Sequence, residues 1–250
     1  MLHFNADMAY KSIKPPWVNS FRMRRNMVET VEKTWTNCDN HAFYDDMPLN
    51  FFISGAIRSG VANGEDVQKI KDIILKTQSI LEIGAGYGRI LKSIIEIGYT
   101  GALEAIEYDR RYYNFCVERY GHKARLYHAN VLEWRPQKTY DLITWMWSSI
   151  AEFSKHEQTA LLDKFSQWLT PQGCLVVETL KLSKKDKDRL IIDGQDCLMI
   201  YDRPGGYLYV PTQAQLTQYA EKKLKLLEVR PYLATGEVER SIYIFKKISF

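Results

Sequence analysis

The chain has 250 residues, 46% of them hydrophobic, and a formal net charge of +4. That length and apolar share can close one good-sized core, and so small a basic excess lacks the concentrated charge of a polyanion-binding domain. Cys38, Cys116, Cys174 and Cys197 show neither paired nor metal-ligand spacing, and no apolar run reaches bilayer length, so the sequence argues against a disulfide scaffold, a structural metal and a membrane span.

Residues 1–64 are rich in aromatics, Met and charge, and are expected to form a helical extension with helices over 21–34 and 50–59. The N-terminus mixes His3, Asn5 and Asp7 with apolar residues, unlike a signal peptide. Asn63-Gly64 marks a turn, after which Val67, Ile70, Ile74 and Leu75 give helical spacing over residues 65–75.

Leu81-Glu82-Ile83-Gly84-Ala85-Gly86-Tyr87-Gly88-Arg89 follows. An apolar run ends in three glycines at alternate positions, and Ile90, Leu91, Ile94 and Ile95 then show helical spacing. Strand, tight glycine turn and helix let a backbone approach a nucleotide-like ligand closely. The spacing is not the Gly-x-Gly-x-x-Gly of dinucleotide binders, and Glu82 would repel a pyrophosphate and attract a cation. The loop therefore suits a nucleoside carrying positive charge.

Ala102-Leu103-Glu104-Ala105-Ile106-Glu107-Tyr108-Asp109 is a second strand ending in acids. Glu107 falls at the usual distance from a glycine loop for holding ribose hydroxyls, and Asp109 is placed to cap a helix over residues 111–120. Residues 124–131 form a third strand whose Asn130 can meet an adenine amino group. The fourth strand is Tyr140-Asp141-Leu142-Ile143-Thr144-Trp145-Met146-Trp147, and Gly173-Cys174-Leu175-Val176-Val177-Glu178 follows a Thr170-Pro171-Gln172-Gly173 turn. Strands alternating with helices mean a parallel α/β sheet.

Beyond it, residues 181–189 form a charged run, expected as a solvated loop with a nucleic-acid contact as the other reading. Cys197-Leu198-Met199-Ile200-Tyr201 and Tyr207-Leu208-Tyr209-Val210 flank Pro204-Gly205-Gly206, which predicts a β-hairpin inserted over about 195–211. Thr212 and Gln215 form a capping box for a helix to about Lys223. Residues 224–229 and 241–245 supply two closing strands.

These segments, in this order, resemble the class I S-adenosylmethionine-dependent methyltransferases, closely over residues 65–180 and loosely beyond. Residues 80–89 look like the family's first motif, Ala105-Ile106-Glu107-Tyr108-Asp109 its second, and His128-Ala129-Asn130-Val131-Leu132 its third strand end, with Asn130 in place of the common Asp. Tyr140-Asp141-Leu142-Ile143 and Leu169-Thr170-Pro171-Gln172-Gly173 resemble the starts of its fourth and fifth strands. The resemblance implies a three-layer Rossmann-like sandwich with a mostly parallel seven-stranded sheet and an antiparallel last strand. It implies S-adenosylmethionine as cofactor, no metal, and a division into an N-terminal lid (1–64) and a methyltransferase domain (65–250). The cofactor-binding residues it implies are Glu82, Gly84, Ala85, Gly86, Gly88, Glu107, Tyr108, Asn130, Val131 and Trp145, with Tyr44-Asp45 resembling the Tyr-Asp pair of a lid helix; the other reading of Phe43-Tyr44 is an anchor that fixes the segment to the core.

The acceptor is expected to be a small molecule bearing O or N, in a cytoplasmic protein. No RNA-binding module or aromatic-interleaved basic stripe appears, and Lys14-Pro15-Pro16-Trp17 lacks the Asp/Asn of the DNA-methylating tetrad, so it reads as a turn. Met146, Trp147, Tyr207 and Tyr209 are candidates for the substrate pocket, where the Trp145-Met146-Trp147 run is either an aromatic wall or core packing. His128 reads as structural. No catalytic residue can be read, because methyl transfer needs a base only when the acceptor holds its proton. A protein side-chain acceptor, a non-catalytic cofactor scaffold and a nicotinamide oxidoreductase remain the alternatives, the last opposed by the glycine spacing. An aminopropyl transferase would carry a Gly-Gly-Gly-Asp-Gly loop, absent here.

Overall fold

The computed structural model describes residues 44, 47–181, 189–192, 195–199, 207–235 and 238–248, with the backbone alone for 189–192, 195–199 and 207. The expected helix at 21–34, the Lys14-Pro15-Pro16-Trp17 turn, Asp45 and the Pro204-Gly205-Gly206 turn lie outside the described residues.

Helix α1 (Leu49–Arg58) precedes α2 (Glu65–Gln68) and α3 (Lys71–Ile74). One helix over 65–75 was the expectation, but the chain breaks at Ile70 (φ −121°), where a three-residue turn brings the Ile70 N–H to the Val67 carbonyl at 3.1 Å. Val67, Ile70 and Ile74 are all fully buried on either side of the break, so the apolar face reaches the core through two short helices.

Then come β1 (Ser79–Ile83), α4 (Arg89–Glu96), β2 (Ala102–Glu107), α5 (Arg110–Tyr120), β3 (Arg125–His128) and β4 (Tyr140–Trp145). A 3-10 turn (Ser149–Glu152) leads to α6 (Lys155–Trp168) and the long β5 (Leu169–Leu180). The rest is β6 (Arg189–Ile192), β7 (Gln195–Met199), β8 (Tyr207–Tyr209), α7 (Gln213–Ala220), β9 (Leu224–Leu233) and β10 (Glu239–Lys247). Asp109 caps α5 by accepting from Arg111 N, and Thr212 with Gln215 forms the capping box of α7, as the sequence indicated.

The main sheet runs β3-β2-β1-β4-β5-β10-β9. Strands β1 to β5 are parallel, and β10 is antiparallel to both β5 and β9. This is the expected seven-stranded arrangement. Side chains alternate between faces, so Ile80, Leu142 and Val176 enter one core, while Leu81, Ile143, Leu175 and Val177 enter the other. The order reverses between β1 and β4, which opens a crevice at their carboxyl ends.

Three expectations are corrected. The third strand stops at His128 instead of running to 131, because Asn130 folds its side chain back onto Leu132 N and turns the chain. Thr170-Pro171-Gln172-Gly173 is not a separate turn but a bulge inside β5: Tyr140 faces Leu169 and Leu142 faces Cys174, so the extra residues loop out. A Cβ on Gly173 would stand 2.9 Å from the Tyr140 carbonyl, which is why the close approach there takes glycine. The hairpin is part of a larger unit, a three-stranded antiparallel sheet β6-β7-β8, since Arg189 of the charged run opens β6. Its expected pairing holds, with Cys197 opposite Tyr209 and Met199 opposite Tyr207.

Candidate active site

The loop between β1 and α4 is built from left-handed glycines: Gly84, Gly86 and Gly88 have φ of 72°, 53° and 81°. Gly84 N and Ala85 N both donate to the Ile106 carbonyl at 3.0 Å, which ties the loop to the end of β2. Gly88 and Gly86 serve different needs. A Cβ on Gly88 would stand 2.3 Å from the Tyr120 ring, so glycine there permits packing on α5. Among the described residues nothing lies within 4 Å of the Cβ position of Gly86, so on that side the loop presents bare backbone.

Glu107 ends β2 beside that opening. Its Oε2 accepts from Gly86 N at 2.6 Å and its Oε1 from Asp109 N at 2.8 Å. Burial pushes its carboxyl up to about 7 despite those two donors. The adjoining Tyr108 is exposed. Glu82 lies inside the sheet instead of at its rim: it is buried and accepts from the Thr144 hydroxyl of its cross-strand partner. Burial raises its carboxyl well above the ordinary range. Arg89 fills the next buried position, in a two-pronged pair with Asp66 (2.8 and 2.7 Å) that fastens the start of α4 to α2.

Asn130 and Val131 sit at the turn after β3, where Lys164 of α6 donates to the carbonyls of Val131 and Leu132 at 3.0 and 2.7 Å. Asn130 Oδ1 accepts from Leu132 N at 2.9 Å, so its amide is oriented by the turn.

After β4, the packing reading describes Trp145 and Met146, and only Trp147 stays near the loop. The Trp145 ring is fully buried edge-on to Phe153 and Phe165, and Met146 is buried in the opposite core. The partly exposed Trp147 meets Tyr87 edge-on and stands under the Arg89 guanidinium, 5.5 Å from its ring centre. Trp147 and Ser148 are consecutive left-handed residues, φ 53° and 59°, a conformation that costs energy in any residue but glycine. A buried network holds them. Ser148 N donates to Glu178 Oε2 at 3.0 Å, while Arg240 and Tyr232 both donate to Glu178 Oε1.

The sequence missed Glu152. It closes the 3-10 turn after β4, and the Tyr44 hydroxyl donates to its Oε1 at 2.5 Å across 108 residues. Burial, opposed by the Tyr44 hydrogen bond and reinforced by the Glu107 charge, pushes its carboxyl up to about 7. Arg111 secures the same segment by donating to the Tyr44 carbonyl at 2.7 Å, and the Phe52 ring stacks on Tyr44. The structure therefore brings together the glycine loop, Glu107, Tyr44 and Glu152. Tyr209 is buried, and its carbonyl accepts from Gln158 on α6 at 2.8 Å; the Tyr207 side chain lies outside the described residues. An open groove between α6 and α7, lined in part by Lys155, His156 and Lys222, shares no residue with this constellation.

Among the described residues no helix is long and apolar enough to cross a membrane, and no group of three metal-binding side chains occurs. Residues 80–173 match the family profile described as a methyltransferase domain. No curated protein matches the chain in sequence. Among solved structures, the chain is similar to CalS10, an amino pentose methyltransferase from Micromonospora echinaspora involved in calicheamicin biosynthesis and solved with S-adenosylmethionine bound. The identity is 14% and the TM-score 0.62, over 81% of this chain and 99% of that one. It is also similar to the glycopeptide N-methyltransferase MtfA in complex with S-adenosylhomocysteine, with 12% identity and a TM-score of 0.60 over 75% of this chain and 90% of that one. The CcbJ methyltransferase from Streptomyces caelestis gives 14% and 0.58 over 75% and 90%.

Proposed function

We propose that this chain, an S-adenosylmethionine-dependent methyltransferase of the class I fold, methylates a nitrogen or oxygen of a small molecule. The observation that carries the reading is the pairing of an open glycine cradle at Gly86 with the buried carboxyl of Glu107, which already accepts from Gly86 N. These residues fit the cofactor. Glu107 would take the ribose hydroxyls, Asn130 and Val131 the adenine, Ala85 and the loop backbone the remainder, with Tyr108 along the ribose and Tyr44 above. Glu82 would act from behind the loop, and Trp145 by shaping the end of β4 from the core.

When bound, the cofactor supplies a methyl group on a sulfonium, already activated for displacement. The protein's part is to hold the acceptor in line and exclude water, and orientation alone is worth several kcal/mol. Three things support a small acceptor. Residues 1–64 end in a segment fastened over the strand ends by Tyr44 and Arg111, consistent with a lid. Strand β8 lies against the Ser149–Glu152 turn, which bounds the same face. The similar structures carry names that specify an amino pentose and a glycopeptide nitrogen.

Calorimetry tests the reading. S-adenosylmethionine and S-adenosylhomocysteine should bind and NAD should not. Glu107→Ala should weaken the sulfur ligands at least about tenfold in a folded protein, since a charge-assisted hydrogen bond is worth roughly 1.5–3 kcal/mol. Binding of NAD alone, or an unchanged affinity in the variant, would overturn it.

A further inference from the structure

We propose that Lys164 is a positioning residue for base recognition: acting through one peptide group, it fixes the Asn130 side-chain amide so that the site selects adenine over a 6-oxopurine. The proposal rests on the methyltransferase reading above, which puts adenine at Asn130 and Val131, and adds to it the residue that makes the site base-specific.

The turn after β3 is tied to the end of β2 that carries Glu107. His128 pairs with Glu107, and Ala129 N donates to the Glu107 carbonyl at 3.0 Å. Past that point the turn satisfies itself in part. Glu133 N and Trp134 N donate to the Asn130 carbonyl at 3.0 and 2.8 Å, and Leu132 N donates to Asn130 Oδ1 at 2.9 Å. The carbonyls of Val131 and Leu132 are left to the ammonium of Lys164, 33 and 32 residues further on. Lys164 is buried on α6, and Trp168, one helical turn along the same face, lies with its ring centre 5.3 Å from that ammonium. Trp168 meets Trp134 edge-on, and Trp134 packs on Tyr127 of β3, so both ends of the turn are held against α6.

The Val131 carbonyl and the Leu132 N–H belong to one planar peptide group. An ammonium on that carbonyl fixes the plane and strengthens the N–H as a donor. That N–H decides which way the Asn130 amide faces. With Oδ1 toward Leu132 N the hydrogen bond is made; with the amide turned over, its NH2 would meet another donor. A carboxylate at this position would present an acceptor either way round, so the need for a lock comes with the asparagine. Burial pulls the Lys164 ammonium down to about 8, helped by the Arg135 charge and opposed by Glu133, so it keeps its charge at neutral pH.

Base selection follows from this lock. Adenine presents an amino group beside an accepting ring nitrogen, whereas a 6-oxopurine presents a carbonyl beside an N–H. An Asn130 held with its oxygen as the inner acceptor keeps a second lone pair for the adenine amino group and repels a carbonyl in that place. An Asn130 that could turn over would offer its NH2 to the carbonyl and accept both bases. Lys164 removes that option, so its loss should relax the choice of base more than it weakens binding in general.

The test needs no knowledge of the acceptor. Full-length protein is titrated by calorimetry at neutral pH with adenosylhomocysteine and with S-inosylhomocysteine, which differs only in its 6-oxo base. The wild type should prefer adenosylhomocysteine by about tenfold or more. Lys164→Met should bring the two affinities to within about threefold of each other. Adding Asn130→Asp to that variant should restore the preference, because a carboxylate needs no lock. A lysine that only stabilised the turn would weaken both ligands alike, and no change at Asn130 would bring the choice back. If Lys164→Met does not fold, Lys164→Gln is measured instead, with and without Asn130→Asp; giving up charge and reach should cut the preference in part. An unchanged preference in the Lys164 variant, or a loss that Asn130→Asp does not restore, overturns the proposal. Adenosylhomocysteine binding with no preference in the wild type overturns it alone, whereas failure of the wild type to bind either ligand overturns the methyltransferase reading beneath it.

Discussion

Glu107 meets the glycine loop and the start of α5 through one carboxyl group, so its protonation state couples both to the ligand. Its folded value of about 7 lies above the ordinary carboxyl range because the group is buried. Ribose hydroxyls donating to it would favour the charged form, so ligand binding should release a proton below that value. Adenosylhomocysteine affinity should therefore climb between pH 5.5 and 7, by up to about tenfold per pH unit for one proton, and level off above. Calorimetry in buffers of different ionisation enthalpy would measure both the slope and the released proton. A second residue-scale outcome concerns Arg240 and Glu178, buried with Nη1 and Oε1 2.5 Å apart. Arg240→Met would leave Glu178 charged, buried and without its cation, at a cost of about 3–5 kcal/mol. The midpoint of urea unfolding would show it. The same variant should loosen Trp147 and Ser148, whose left-handed backbone depends on Glu178.

At the scale of elements, the segment from Tyr44 into α1 and the strand β8 both border the crevice, and both should tighten when it fills. Hydrogen exchange with and without adenosylhomocysteine should show slower amides over residues 47–52 and 207–210 as well as in the glycine loop. Protection confined to the strand ends would mean these elements are fixed padding. What the sequence revealed divides along the same lines. The glycine loop, the Asp109 cap and the Thr212-Gln215 capping box were legible because each is a local requirement of the backbone: a left-handed φ, or an orphan amide within three residues. The break at Ile70 was not, since the spacing of Val67, Ile70 and Ile74 suits one helix as well as two short ones. Strand β6 was hidden because Arg189 closes a run of charges. Glu152 was invisible for a different reason: its significance depends on Tyr44, 108 residues away, and nothing in a 3-10 turn announces a partner at that distance.

For the molecule as a whole, buried acids set the response of stability to pH. Glu82, Glu107 and Glu152 all have folded values raised by burial. The folded state therefore holds protons that the unfolded chain gives up from about pH 4.5, and stability falls as pH rises from there through about 7. Asp72 and Glu104 act with the opposite sign, but only at lower pH, because their cationic partners Arg230 and Lys138 hold them below the usual range. The ligand-free protein should thus have a higher Tm at pH 5 than at pH 7.5, measured by differential scanning fluorimetry. Ligand at about 100 times its Kd should add roughly 2.7 kcal/mol, or about 5–10 °C for a chain of this size. A Tm that rises steadily from pH 5 to 7.5 would contradict the assignment of buried, proton-holding acids.

The order β5-β10-β9 has a consequence for the timing of synthesis. Strand β10, translated after both of its neighbours, fills the gap between β5 and β9, and until it arrives neither strand has that neighbour. Residues 79–180 can pair as they emerge, since each parallel strand finds a partner made before it. Strand β5 nevertheless waits with an open edge while some sixty further residues are translated, several seconds at ordinary rates of elongation. Arg240 comes with β10, so Glu178 also waits for its cation, and the Trp147-Ser148 turn for its anchor. The nascent chain carries a nearly finished glycine loop beside an unfinished wall. Its open edge persists until β10 pairs, and the wall of the crevice behind the Trp147-Ser148 turn takes its final form only then.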